Sequence, residues 1–352
     1  MAASPDSIGS RYRAREWFYS KITVVIAIFF SAVLLLGIRP KQAIVSVALT
    51  LLAICSCAAF GYVINDLFDV VEDDAAGKPN KMRGLTRARR IAFLCLPILF
   101  GFLPLLILSV PLQAKIVLAL DYLLAVAYSA PPIRLKVRGL LGNVTDATAV
   151  HALPALFSIL VLPGAWDQIT KNLQLFTCSV FLWSFFYGLR GIFLHQIWDF
   201  ENDTKSGFRS FVITIGKERV RRLIQCFLFP MEAAGFIGLC YFLIPRSLVF
   251  AISLGIYFLG DILKWKIWKR PFDVAPKQLG NYVPPADFYQ AWFGLAIVLQ
   301  LCLTNILFVP LLCLYVFSFY PEIKARVAEN WHLLRDVFRY IGTDFLRLKK
   351  AA

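Results

Sequence analysis

The stretch LLAICSCAAFGYVINDLFDVVEDD, residues 51–74, decides how this chain folds. Residues 51–64 carry no charge and continue an apolar run that begins near residue 42. Such a run crosses a hydrocarbon core of about 30 Å, and in lipid only a helix satisfies its backbone internally. The polar end is as informative as the apolar one. Asp66, Asp69 and Asp73 follow at i, i+3 and i+7, so they share a helix face, and Asn65 lies one position round. The pattern recurs in HQIWDFEND as His195, Gln196, Asp199 and Asp203. A glycine stands four residues after the last aspartate of each copy (Gly77, Gly207), where a helix can stop. Ionised carboxylates at a membrane boundary are costly unless they face a wet cavity, a metal or a pathway. Two facing clusters of oxygen ligands would hold Mg²⁺, and carboxylate-held Mg²⁺ commonly binds a phosphate-bearing substrate.

Working outward, the chain of 352 residues is 59% hydrophobic with a mean hydropathy of +0.67. Only 17% is charged, well below the roughly 25% of soluble domains. The spacing of apolar runs predicts an all-α, polytopic membrane bundle of about nine transmembrane helices, the last over 288–318. Three parts are expected: a polar segment 1–20, a transmembrane domain 21–320 and a basic amphipathic tail 321–352. The net charge of +15 sits in the N-terminus and in the loops after even-numbered spans. That bias places those loops, with the acidic motifs, on the cytoplasmic side and argues against nucleic acid as a partner. The eight cysteines show neither zinc-ligand nor CxxC spacing, and no cleavable signal peptide is evident. Nine spans leave the basic tail outside, yet the last run is about 30 residues long with Thr304, Asn305 and Pro310 in its middle, so it reads either as one long kinked helix or as two short passes, and the side of the tail stays open.

Basic residues in the same loops suit a pyrophosphate, whose oxygens need cationic donors: Lys78, Lys81, Arg83, Arg134, Lys136 and Arg209. Arg190 lies inside a span, one turn before the second motif, and is expected to face the cavity or to pair with an acid. In YSAPPIRLK, residues 128–136, a Pro-Pro pair ends the fourth span and would aim Tyr128, Arg134 and Lys136 at the aspartates. His195 stands where Asn65 stands in the first copy.

These three motifs together resemble the UbiA-type intramembrane prenyltransferases. The family's N-D-x-x-D-x-x-x-D motif is complete at Asn65–Asp73, and its YSxPPxxLK segment is closely matched at 128–136. Its D-x-x-D-x-x-x-D motif is matched at Asp199 and Asp203, with Gln196 in place of the leading aspartate, and NKPxRP is altered to GKPNKMR. The resemblance covers roughly residues 20–320. It implies two Mg²⁺ ions, a prenyl diphosphate, and a hydrophobic or aromatic acceptor in the bilayer. Asn65, Asp66, Asp69, Asp73, Asp199 and Asp203 would be metal residues, Lys78 or Lys81 and Lys136 diphosphate contacts, and Tyr128 the family tyrosine. Diphosphate departure would leave cationic character on the prenyl chain, sheltered by rings such as Phe60, Tyr62, Trp183, Phe186, Tyr187 or Trp198. His195 would accept the acceptor's proton or orient the acceptor. Two rivals stand beside this: a terpene cyclase of the same fold acting without an acceptor, and a transporter, which would need charges at mid-span.

Overall fold

The structure, a computed structural model, describes residues 8–75, 77–108, 110–206, 210–278 and 283–351. All regular structure among them is helical. Eight helices are long and apolar enough to cross a membrane. They begin with α1 (Ala14–Leu36), α2 (Pro40–Phe68), α3 (Arg87–Ile107) and α4 (Leu112–Ser129). Next comes α5 (Leu140–Leu160), joined through Gly164 at 105° to a short helix, Ala165–Lys171. The chain continues as α6 (Gln174–Trp198), α7 (Lys217–Arg246), α8 (Leu248–Trp268) and the shorter α9 (Phe288–Thr304). It ends in α10 (Val309–Ala351). Large apolar side chains of α3, α4 and α8, among them Leu106, Leu123 and Ile256, stay exposed, as lipid-facing surfaces must. The interior is built where small residues let backbones approach. A Cβ at Gly235 of α7 would collide with the Trp183 backbone of α6, so only glycine allows that contact.

Both acidic motifs share one local design. The helical face suggested by the i, i+3, i+7 spacing is interrupted at its middle aspartate. Asp69 (φ −103°) terminates α2 and Asp199 (φ −85°) terminates α6. Short helices Val70–Ala75 and Phe200–Ser206 then carry Asp73 and Asp203. The amides of Asp69 and Asp73 reach Asn65 and Asp69 carbonyls at 3.1 and 2.8 Å, and those of Asp199 and Asp203 repeat this at 2.9 Å each. Gly77 (φ +65°) ends the first copy as expected, whereas Gly207 and Arg209 lie outside the described residues.

The last apolar run is two passes rather than one. Asn305 leaves the helical conformation and its side chain caps the next turn, accepting from Leu307 N at 3.0 Å. The chain returns antiparallel, with Tyr315 Oη donating to the Ala291 carbonyl at 3.2 Å and Phe319 stacked on Phe18 at 5.4 Å. Beyond the kink at Phe319 the tail continues α10 and meets the end of α8. Glu329 pairs with Arg270 at 3.1 Å and Lys264 at 3.5 Å, while Trp268 Nε1 donates to Asp336 at 3.0 Å. Of the two readings left open for the last run, the structure shows two passes, and the tail sits on the side of the basic loops because a capped break at Asn305 adds a crossing.

This topology is open to impermeant maleimide labelling of single cysteines in a cysteine-free background. Lys78→Cys and Arg335→Cys should react from one face of oriented vesicles, and Ile306→Cys from the other. Labelling of Lys78→Cys and Arg335→Cys from opposite faces would refute the hairpin at Asn305.

Candidate active site

Each carboxylate of the first motif is held by a partner from elsewhere in the chain. Asp66 is buried at the end of α2, where its Oδ1 accepts from Arg13 Nη1 at 3.0 Å. Its Oδ2 is buried without a hydrogen-bond partner. Asp69 accepts from Arg134 Nη2 at 3.0 Å and, more closely, from Lys136 Nζ, which also reaches Asn65 Oδ1 at 2.9 Å. Arg134 holds a left-handed backbone (φ 40°), uncommon outside glycine, and its second arm binds Glu72 at 2.7 Å. Burial pushes the Lys136 ammonium below its ordinary pKa, opposed by its bond to Asp69, and the Arg134 contact lowers Glu72. Asp73 accepts from Asn80 Nδ2 at 2.8 Å, and the same amide reaches the Asp66 carbonyl at 2.7 Å. Asn80 thus folds the altered GKPNKMR loop back onto the motif. Lys81 is turned to the N-terminal segment, its Nζ 3.3 Å from Ser10 Oγ and its carbonyl 3.0 Å from Arg11 Nη1.

The second motif meets the first through two bridges. Lys78, from the first motif's loop, lies close enough to Asp203 to oppose the rise in its pKa caused by burial and by the charge of Asp199. The other bridge is the Tyr-Pro segment. Its Arg134 and Lys136 hold Asp69, while Asn143, at the start of α5, exchanges amide bonds with Gln196 at 2.7 and 3.4 Å. Gln196 is therefore turned to α5, and Asp199 and Asp203 supply the carboxylates of the second copy.

Two cavities open from these motifs. The wider, of about 1250 Å³, is lined by His195 and Asp199 of α6, by Tyr187 and Gln290, and by Arg326, Glu329 and His332 of the tail. The narrower, of about 260 Å³, is lined by Asn65, Tyr128 and apolar side chains including Ile22, Val25, Ile54 and Val150. Lys21, Tyr62 and Asp146 belong to both. Three π-helical segments bulge at these walls, Phe18–Ile22, Thr148–Ala152 and Phe288–Phe293, and each presents a polar residue: Lys21, His151 and Gln290. Such bulges often mark functional positions. Of the rings singled out from sequence, Tyr62, Tyr187 and Trp198 line the wide cavity. Phe60 packs on Tyr122, Trp183 on Tyr289 and Phe186 on Phe227.

Arg190 occupies a different place from the other basic residues. It is fully buried, with Nε and Nη2 on Glu232 at 2.6 and 2.8 Å and Nη1 at 3.4 Å from the Val274 carbonyl. Of the two roles the sequence leaves open the structure shows both: Arg190 lines the wide cavity and pairs with Glu232, which ties α6 to α7. Arg13, Lys21, Asn80 and Glu232 escaped sequence reasoning. Glu232 alone left a signal, as a carboxylate inside an apolar run. Among the described residues no three His, Cys, Asp or Glu side chains are grouped around one point as they stand, and the first motif's carboxylates meet Arg13, Arg134, Lys136 and Asn80 instead.

The UbiA prenyltransferase family matches residues 24–281. A digeranylgeranylglyceryl phosphate synthase of Sulfurisphaera tokodaii is 30% identical over 226 residues, 62% of this chain and 73% of that protein. The lycopene elongase/hydratase of Haloferax volcanii is 28% identical over 211 residues, 59% of this chain and 64% of its own, so the match spans just under two thirds of that relative. The structure of a UbiA homologue from Archaeoglobus fulgidus bound to DMAPP and Mg²⁺ superposes with a TM-score of 0.53 at 16% identity, over 87% of this chain and 99% of that one. At that identity the likeness establishes the fold.

Removing one member of a buried ion pair strands the other. Glu232→Ala should therefore destabilise the protein by about 3–5 kcal/mol, and the paired Arg190→Met, Glu232→Leu replacement should cost less. Thermal unfolding in detergent checks this; a double variant less stable than Glu232→Ala contradicts the structural role.

Proposed function

Because the chain belongs to the UbiA prenyltransferase family, we propose that it moves the prenyl group of a prenyl diphosphate to a lipophilic or aromatic acceptor, releasing diphosphate. The observation that carries this reading is the meeting of both acidic motifs, through Lys78 and the 134–143 segment, above a cavity with one apolar branch. The narrow branch suits the first units of a prenyl chain. The wide cavity leaves room for an acceptor, which favours transfer over acceptor-free cyclisation.

The donor set fits Mg²⁺. It consists of hard oxygens, and one of them, Asp66 Oδ2, is buried without a partner. Asn65, Asp66, Asp69 and Asp73 would hold one ion and Asp199 and Asp203 a second, and Mg²⁺ held there would supply positive charge to the diphosphate leaving group. The A. fulgidus homologue solved with DMAPP and Mg²⁺ supports the assignment. Arg134, Lys136 and Lys78 stand where they can exchange carboxylate partners for diphosphate oxygens, and preorganised cations of this kind favour the leaving group's developing charge. Tyr128 and Tyr62 line the narrow branch where the prenyl chain would begin, and aromatic rings there would favour developing positive charge. His195, edge-on to Trp198 at 5.6 Å in the wide cavity, orients the acceptor. The positive bias of the motif-bearing loops supports a site on the cytoplasmic side.

Asp66→Ala and Asp199→Ala should each lower Mg²⁺-dependent diphosphate release from farnesyl or geranylgeranyl diphosphate by at least about 100-fold. Undiminished release in both rejects the proposal. Arg13 now occupies an oxygen of Asp66, so Arg13→Gln should tighten Mn²⁺ binding by about tenfold, the equivalent of one charge-assisted contact. An electron paramagnetic resonance titration without substrate reads this directly; unchanged or weaker binding shows that Arg13 does not compete for the site.

A further inference from the structure

Four carboxylates that line the wide cavity belong to neither acidic motif: Asp146, Asp287, Glu329 and Asp273, the last 3.7 Å from Arg221. Asp146 lies on α5, immediately before the π-helical segment Thr148–Ala152, about one turn beyond Asn143. Its place is distinctive: with Lys21 and Tyr62 it lines both the narrow apolar cavity and the wide one. Other carboxylates of the wide cavity are engaged: Glu329 with Arg270 and Arg326, and Asp287 with the Tyr257 hydroxyl at 2.7 Å. Among the described residues Asp146 has neither a hydrogen bond nor an ion pair, whereas Lys21 and His195 act on it through their charge. A carboxylate at membrane depth is expensive, and one kept there without a structural partner points to function.

We propose that Asp146 is the base that takes the proton lost when the acceptor joins the prenyl chain. The inference rests on the prenyl-transfer reading and adds to it a residue outside both motifs. In the step, the C1–O bond breaks with its electron pair leaving on diphosphate. The acceptor's oxygen lone pair or aromatic π pair forms the new bond to C1. The proton of that O–H or C–H passes to an Asp146 carboxylate oxygen and is later released to water through the wide cavity. Position explains the assignment. A chain in the narrow branch with its diphosphate at the motifs brings C1 past Tyr62 and Asp146, and an acceptor in the wide cavity approaches C1 from the open side. The groups facing Asp146 are Lys21 of α1, Tyr62 of α2, Tyr128 of α4, His151 of its own helix, and His195 and Asp199 of α6. Lys21, with its ammonium 3.5 Å from Tyr62 Oη, is the cation that shares the lining of both cavities with Asp146. His151 lies edge-on to Tyr187 at 5.3 Å, against Gly188, and is a wall rather than a rival base.

The test uses the full chain in detergent with farnesyl diphosphate and either 1-naphthol or a glycerol monoether as acceptor. Asp146→Asn should lower kcat for transfer by about 100-fold or more, the usual weight of a general base. KM for farnesyl diphosphate should stay within about twofold, because the step lost is chemical and not binding. Asp146→Glu should recover part of the rate, and added formate should restore Asp146→Ala, which a purely structural carboxylate would not allow. Transfer by Asp146→Asn at the wild-type rate overturns the assignment, as does a loss that formate cannot restore and that raises KM in parallel. Wild-type protein that transfers to neither acceptor and releases no diphosphate overturns the parent reading instead, and this one with it.

Discussion

The structure depends on compensating carboxylates where hydrocarbon gives way to water. Asp66 and Asp69 stand at the last turn of a span, and an ionised group there needs a partner near at hand. The chain supplies those partners from distant segments: Arg13 before the first span, and Arg134 with Lys136 after the fourth. Each contact also fixes a loop. The Tyr-Pro segment is held at its near end by Asp69 and at its far end by Gln196, so neutralising one motif sets the distance to the other.

Interrupted helices do the rest of the positioning. The breaks at Asp69 and Asp199 turn Asp73 and Asp203 away from the parent helix axes while retaining the hydrogen bond from each aspartate amide to the residue four positions earlier. The π-helical bulges work inside the bilayer in the same sense. Inserting an extra residue per turn rotates a single side chain off the face that packing would give it. Lys21, His151 and Gln290 reach the cavity that way, from helices whose other faces are apolar.

What could be read from the sequence follows from which interactions are local. Spans, motif spacing and the Pro-Pro turn are short-range patterns, and the helical bundle and the residues around Asp69 follow from them. The partner of Arg190 could not be named, because Glu232 is 42 residues away and only packing of α6 on α7 joins them. Arg13 hid in a basic N-terminus whose charge the positive-inside bias already explained. The side of the tail depended on one residue, Asn305, whose capping bond decides between a kink and a reversal. The i, i+3, i+7 spacing gave the correct face but not the break, because a single non-helical residue leaves the register of its neighbours almost unchanged.

Gln196 shows how the two copies of the motif diverge for a physical reason. The first copy has three cations at hand, Arg13, Arg134 and Lys136, to balance its carboxylates. The second has Lys78 near Asp203. A third carboxylate at 196 would add negative charge one turn from Asp199 and would leave Asn143 Oδ1 without the donor it now takes from the Gln196 amide. An amide avoids both costs, since it donates to Asn143 and accepts from it. The substitution thus exchanges a potential ligand for a clamp between α5 and α6, and that clamp holds α5, with Asp146 one turn further on, at the cavity wall.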